Sequence, residues 1–352
     1  MKHKAKIINV LVPIISVLLS FLIGCIIMVI LGANPFAALG AMAKGAFGTA
    51  RNIGTTLARA TPLIFTSLCA CFAYRCGVFN LGGEGQFIMG AIVGCLIATE
   101  TGLTGFPATL ICLIAGAVAG GLWAAIPGLL KVYRGQNEMI ISIMLNYVAT
   151  LFMGVIYTTW FRDGNVPQTA AVPDGTQLTR LFGLRVTTGF ILAIVIGVMM
   201  HYFLFNTSKG FQLRAVGLNM TAARFNGFAV KKYMLFSFIV SGAIAGLGGS
   251  ADLLGTQFRL INGYAVGYGF DGVAMALIAQ LNPLATMFVA IFFAALRVGS
   301  TAMQTVTGVP TSVSDIIQAM VIVFTVAGLA LVKLPEFKAR LNHKKTLKKE
   351  AN

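Results

Sequence analysis

Charge-free apolar stretches recur along nearly the whole chain. About 20 apolar residues, rising 1.5 Å each, cross a hydrocarbon core of about 30 Å, so each stretch predicts a membrane-spanning helix. Residues 7–43 carry no Asp, Glu, Lys or Arg, and their apolar part, 7–31, predicts the first span. That stretch is too long for a signal-peptide core and no small-x-small cleavage site follows closely, which predicts a retained helix. Further spans are predicted over 61–74 (reaching back to Thr55), 86–99, 106–130, 139–161, 189–205, 233–254, 266–279, 283–296 and 316–332. Those over 86–99 and 266–279 are short, and the latter reads as a broken helix. The pattern predicts an all-α polytopic membrane helix bundle of about ten spans, with broken or short helices around a central pathway. Residues 1–332 form the transmembrane domain, with a cytoplasmic loop at 206–232, and 333–352 form a basic tail.

Charge fixes the orientation. Of 26 Lys and Arg, eighteen lie at the N-terminus, after the second, fourth and sixth spans, and in the tail. The other eight, Arg59 and Arg297 among them, fall outside or at span ends. This asymmetry places both termini in the cytoplasm. Only 10% of residues are charged and 57% are hydrophobic, against about 25% charged in soluble domains. An ordinary cytosolic enzyme, a disordered chain and a disulfide-stapled secreted domain are excluded. The net charge of +16 resides in short stretches between apolar runs, so it marks cytoplasmic loops and lipid contact rather than nucleic acid. The six cysteines sit in or beside apolar runs and read as small buried hydrophobes. No HExxH, nucleophile elbow or P-loop is present. Three glycine pairs sit four apart on apolar helices: Gly90 and Gly94, Gly116 and Gly120, Gly242 and Gly246. They predict close helix packing, or a sliding surface.

Three stretches carry chemistry. The segment 77–86 places four glycines between two spans and holds Asn80, Glu84 and Gln86. It reads as a cytoplasmic turn or as irregular backbone lining a cavity at membrane depth. A carboxylate there needs a partner, and Arg75 is the nearest in sequence. In the segment 136–147, Asn137 and Glu138 cap a helix start. Ser142 and Asn146, with Tyr147 beside them, form a polar stripe suited to helix contacts or to substrate. In the segment 209–232, Asn219 caps a short helix from Met220 to Phe225 that Asn226–Gly227 ends. Its Ala222–Ala223 pair and Arg224 suit a partner's groove, or a surface held by anionic lipid. Phe270 and Asp271 begin a Gly-flanked segment in the second half that mirrors 77–86. Paired discontinuities of this kind surround transport sites, which makes Asn80, Glu84, Gln86, Asn146, Tyr147, Phe270 and Asp271 candidates for the pathway lining.

Taken together, the blocks Gly77–Gln86, Asn137–Tyr147, Arg214–Gly227 and Gly267–Leu277 with Asn282-Pro283 resemble, in order, the permease subunits of ATP-binding-cassette importers. The branch is the nucleoside and simple-sugar one, which works with basic-membrane-protein-like lipoproteins. The resemblance implies a non-enzymatic permease subunit translocating nucleosides or a related sugar in the bacterial cell membrane. It implies an ATPase partner that carries ATP and Mg, a second and different permease subunit, and an external binding lipoprotein. No cofactor in this chain and no nucleic-acid partner are implied. Residues Arg214, Gly217, Asn219, Ala222, Ala223, Arg224 and Gly227 would couple to the ATPase. Ala279-Gln280-Leu281 stands where relatives often carry a more polar, Gly- or Arg-containing turn. The alternative class is a secondary transporter or channel for a small uncharged polar solute, which would place ionisable groups in mid-span.

Overall fold

The computed structural model describes residues 2–265 and 267–330; the tail 333–352 lies outside the described residues. Helices are α1 Lys2–Ile30, α2 Pro35–Phe47, α3 Ala50–Arg75, α4 Gly83–Glu100, α5 Phe106–Arg134 and α6 Glu138–Val155. They continue as α7 Thr188–Asn206, α8 Ser208–Leu218, α9 Met220–Phe225, α10 Val230–Asp252, α11 Tyr268–Ile278, α12 Pro283–Thr307 and α13 Ser312–Ala330. Single π turns extend α6 to Trp160 and α10 to Gln257. The described residues contain isolated β-bridges but no named strand. Among the described residues, eight helices are long and apolar enough to cross a membrane. The polar first turn of α4 and the 11 residues of α11 make these two the interrupted passages.

Three elements depart from the sequence expectation. Helix α2 is separate from the first span, started by Asn34, whose Oδ1 accepts from Phe36 N (3.0 Å) and Ala37 N (3.3 Å), and by Pro35 at its first position. Helix α8 occupies what reads as loop. Its two glycines hide it, yet both serve close approach rather than turning: a Cβ on Gly210 would collide with the backbone of Phe203, and one on Gly217 with that of Arg75. Helix α12 runs on past 296, so Arg297 lies inside a helix rather than at a span end. A charge ends an apolar run in sequence, but a paired charge can stay within it.

The chain divides into two compact units, one containing residues up to Gly45 and from Gly299 onward, the other Ala46–Val298. Within the first, Gly24 of α1 packs on Ile317 of α13, and Gly299 of α12 on the Met42 backbone of α2. Within the second, α3 is buried along most of its length. Its hydroxyls turn to its own carbonyls: Thr66 Oγ1 donates to Pro62 O (3.1 Å) and Ser67 Oγ to Ile64 O (2.9 Å).

The three glycine pairs meet at one junction of α4, α5 and α10. A Cβ on Gly90 would strike the backbone of Gly246, one on Gly120 that of Gly242, and one on Gly246 that of Gly116. Ser250 Oγ of α10 donates to Gly90 O of α4 at 2.8 Å. Lipid offers no hydrophobic drive between helices, so backbone approach and such hydrogen bonds do the holding.

Candidate functional site

The chain leaves α3 at Arg75, runs irregularly through 76–82, and re-enters helix at Gly83. A second irregular segment precedes α11, whose N-cap, Gly267, has φ 81°. The two helix starts meet. Gly267 N donates to Glu84 Oε2 at 3.0 Å, and Gly269 sits so close to the Glu84 backbone that no Cβ would fit between them. The partner of Glu84 is therefore the α11 terminus. Arg75 turns elsewhere, its Nε donating to Leu281 O at 2.7 Å. The 11 residues of α11 rise about 16 Å, roughly half the hydrocarbon core, so this helix is too short to cross it alone.

The first break is clamped by amides. Asn80 Nδ2 donates to Gln86 Oε1 (3.0 Å) and to Ser241 Oγ of α10 (2.9 Å), while Asn80 Oδ1 accepts from Gln86 Nε2 (2.9 Å) and Gly82 N (3.0 Å). From α6, Asn146 Oδ1 accepts from Gly85 N (2.8 Å) and its Nδ2 donates to Leu81 O (2.9 Å). Ser142 lies on the same face, 3.4 Å from where a Cβ on Gly82 would stand. All three amides are buried; Asn80 and Asn146 replace hydrogen bonds that irregular backbone cannot draw from lipid, and Gln86 orients Asn80. The neighbouring Tyr147 (69% exposed) and Phe270 (49% exposed) present their rings outward from this chain. Asp271, in the first turn of α11, is ion-paired with Arg297 of α12. Sequence reasoning missed Arg297, although a basic residue beyond an apolar run beside a lone acid in a broken span was the available signal.

Helices α8 and α9 lie in the segment 206–232 that the sequence reads as a loop. Thr207 caps α8, accepting from Gly210 N at 3.0 Å. Asn219 Oδ1 accepts from Ala222 N at 3.0 Å and starts α9. At its end Gly227, with φ 79°, lets Phe228 N reach back to Ala223 O at 3.0 Å. The expected residues divide by direction. Arg214 lies over the Phe205 ring (4.9 Å to its centroid), Gly217 packs on Arg75, and Ala223 is buried. Ala222 and Arg224 are exposed, and Leu218 (88% exposed) and Phe225 (89% exposed) extend that outward face. At the helix α6 start, Asn137 Oδ1 accepts from Met139 N (3.0 Å), and Glu138 also pairs with Lys131 Nζ at 2.8 Å.

A cavity of about 410 Å³ is lined by Thr55, Arg59, Arg180, Arg185, Gln257 and Phe258, arginines that the charge pattern places outside. Among the described residues none of the three arginines is in an ion pair. The loop that supplies two of them is tied down: Val172 N donates to Phe258 O (2.9 Å) and Leu178 N to Leu254 O (2.9 Å).

Two helix starts meeting within a bundle of long apolar helices define the class of multi-pass membrane permeases. Residues 52–326 match the family described as branched-chain amino acid transport system / permease component, and the chain belongs to that family. It is 34% identical to the guanosine ABC transporter permease protein NupP of Bacillus subtilis, over 92% of this chain and 94% of that protein. It is 32% identical to the nucleoside ABC transporter permease protein NupB of Lactococcus lactis, over 99% of both. It is also 32% identical to the glucose ABC transporter permease protein TsgB13 of Haloferax volcanii, over 90% of this chain and 87% of that one.

Proposed function

We propose that the chain is the transmembrane subunit of an ATP-driven importer for nucleosides, with simple sugars as the related substrate class. The observation that carries this is the meeting of the α4 and α11 starts, paired interruptions of the kind that surround transport sites. The printed activities of the relatives, guanosine, nucleoside and glucose transport, support the substrate class. Charge agrees: Asp271 is neutralised by Arg297, which suits an uncharged polar solute. Tyr147 and Phe270 supply aromatic faces for a base.

The partners follow from the surfaces. An ATPase subunit, holding ATP and Mg, docks on Leu218, Ala222, Arg224 and Phe225, while this chain holds no cofactor. A second, different permease subunit completes the pathway against the outward-facing Tyr147 and Phe270. The binding lipoprotein sets carboxylates into the arginine-lined cavity, because arginine forks match carboxylate geometry.

The test is uptake of labelled guanosine into proteoliposomes carrying the complete complex. Accumulation that requires both ATP and the ATPase subunit is expected. Uptake driven by an ion gradient without ATP would overturn the importer assignment. Phe225→Glu should release the ATPase subunit, whereas Ala223→Glu would test only folding, since that side chain is buried in this chain.

A further inference from the structure

Several parts of the transport machinery converge on Arg75, the last residue of α3. Its guanidinium donates from Nε to Leu281 O at 2.7 Å and from Nη2 to Gln280 O at 3.2 Å. Those carbonyls belong to the turn that joins α11 to α12. Gln280 (φ 52°) and Leu281 (φ 58°) are both left-handed without being glycine. Consecutive non-glycine residues in that region persist only where surrounding contacts hold them, and the Arg75 fork is such a contact. Lys could not bridge both carbonyls in a fixed plane.

The same residue is the seat of α8. The Arg75 guanidinium lies 5.3 Å from the centroid of Phe205, at the end of α7, and Arg214 of α8 covers that ring at 4.9 Å. Gly217 of α8 presses on the Arg75 carbonyl and on the backbone of Cys76 and Gly77 so closely that no Cβ fits. Gly77, at φ 76°, opens the segment leading to α4. From Arg75, then, the covalent chain runs to α4 and the guanidinium fork runs to α11. At their far ends these two helices meet through Glu84 and Gly267. The contacts form a closed circuit on which α8 rests.

We infer that Arg75 is a positioning residue for transport. It passes displacement of α8 and α9 to α4 and α11 together, so that the two interrupted helices shift as a pair when the ATPase moves. This rests on the importer reading above. A coupling that travels by contiguous contacts can be cut at one of them without unfolding either end.

The experiment compares wild type, Arg75→Gln and Arg75→Lys as complete complexes in proteoliposomes, at matched amounts of assembled complex. The readout is guanosine transported per ATP hydrolysed. Arg75→Gln should lower that ratio by about fivefold or more, the usual scale of coupling between sites, while basal ATP hydrolysis stays at the wild-type rate. Arg75→Lys, which keeps the charge and one donor, should fall between. Uptake and hydrolysis falling in proportion would show a purely structural role and overturn the inference, as would an unchanged ratio. Should Arg75→Gln fail to assemble, Arg75→Lys decides: a lowered ratio supports the role and a wild-type ratio removes it. A wild-type complex lacking ATP-driven uptake would remove the importer reading and this role with it. A coupled wild type beside an equally coupled Arg75→Gln removes this role alone.

Discussion

Glu84 and Gly267, 183 residues apart, are joined by one hydrogen bond from the Gly267 N–H to the Glu84 carboxylate at 3.0 Å. Hydrogen bonds to charged groups contribute about 1.5–3 kcal/mol, and the lower end applies at this half-buried position. Glu84→Ala should leave assembly intact and lower uptake. Glu84→Gln, which keeps an acceptor oxygen, should lie between it and wild type. Labelled-guanosine uptake, scored against the amount of assembled complex, checks both. Wild-type uptake in Glu84→Ala would reduce the contact to a surface turn.

The Asp271–Arg297 pair is made by α11 and α12. Removing one member leaves the other without its counter-charge at membrane depth, which is costlier than losing both. Asp271→Asn and Arg297→Gln should each lower the melting temperature in detergent, and the double variant should melt above at least one of them. Strict additivity of the two losses would show that the pair is not coupled.

At the junction of α4, α5 and α10, Gly246→Ala sets a methyl against the Gly116 and Gly120 backbones. Overpacking of this kind costs about 1–3 kcal/mol. Gly154 of α6 has no atom within 4 Å of a Cβ position, so Gly154→Ala should be neutral or slightly stabilising. Thermal denaturation of the two purified variants separates the effects.

Tyr147 and Phe270 are accessible while Asn146 is buried. In a background without Cys25, Tyr147→Cys and Phe270→Cys should react with a water-soluble thiol reagent and be protected by guanosine. The other native cysteines are buried and need not be removed. Failure of both positions to react would place them against lipid instead of the pathway.

The outer arginines give a salt-dependent prediction. Arg180→Glu with Arg185→Glu should weaken binding of the lipoprotein while ATP hydrolysis by the complex persists. The loss should be largest at low ionic strength, because exposed charges are screened over about 8–10 Å at physiological salt. Lipoprotein binding that ignores both the substitutions and the salt would assign the cavity to another ligand.

What the sequence determined by itself is what depends on local chemistry and on the solvent. Lipid requires long apolar helices with satisfied backbones, so the spans and the all-α class are legible in charge-free runs. Capping is local too: the bounds of α9, Met220–Phe225, follow from Asn219 and Gly227. The tertiary structure decided what depends on partners distant in sequence. Glycine is ambiguous alone, because turning, loosening and close packing all favour it. Only the meeting of Gly90, Gly116 and Gly246 shows packing, and only the approach of Gly210 to Phe203 and of Gly217 to Arg75 shows that the glycines of α8 pack rather than turn. Polar residues are equally ambiguous. Asn80 and Asn146 satisfy the backbone of a break, with Gln86 holding the Asn80 amide in place, and Arg297 stays inside a span because Asp271 of another helix neutralises it. A side chain's partner is a property of three-dimensional neighbours, and in a membrane that partner decides where a polar group can stand.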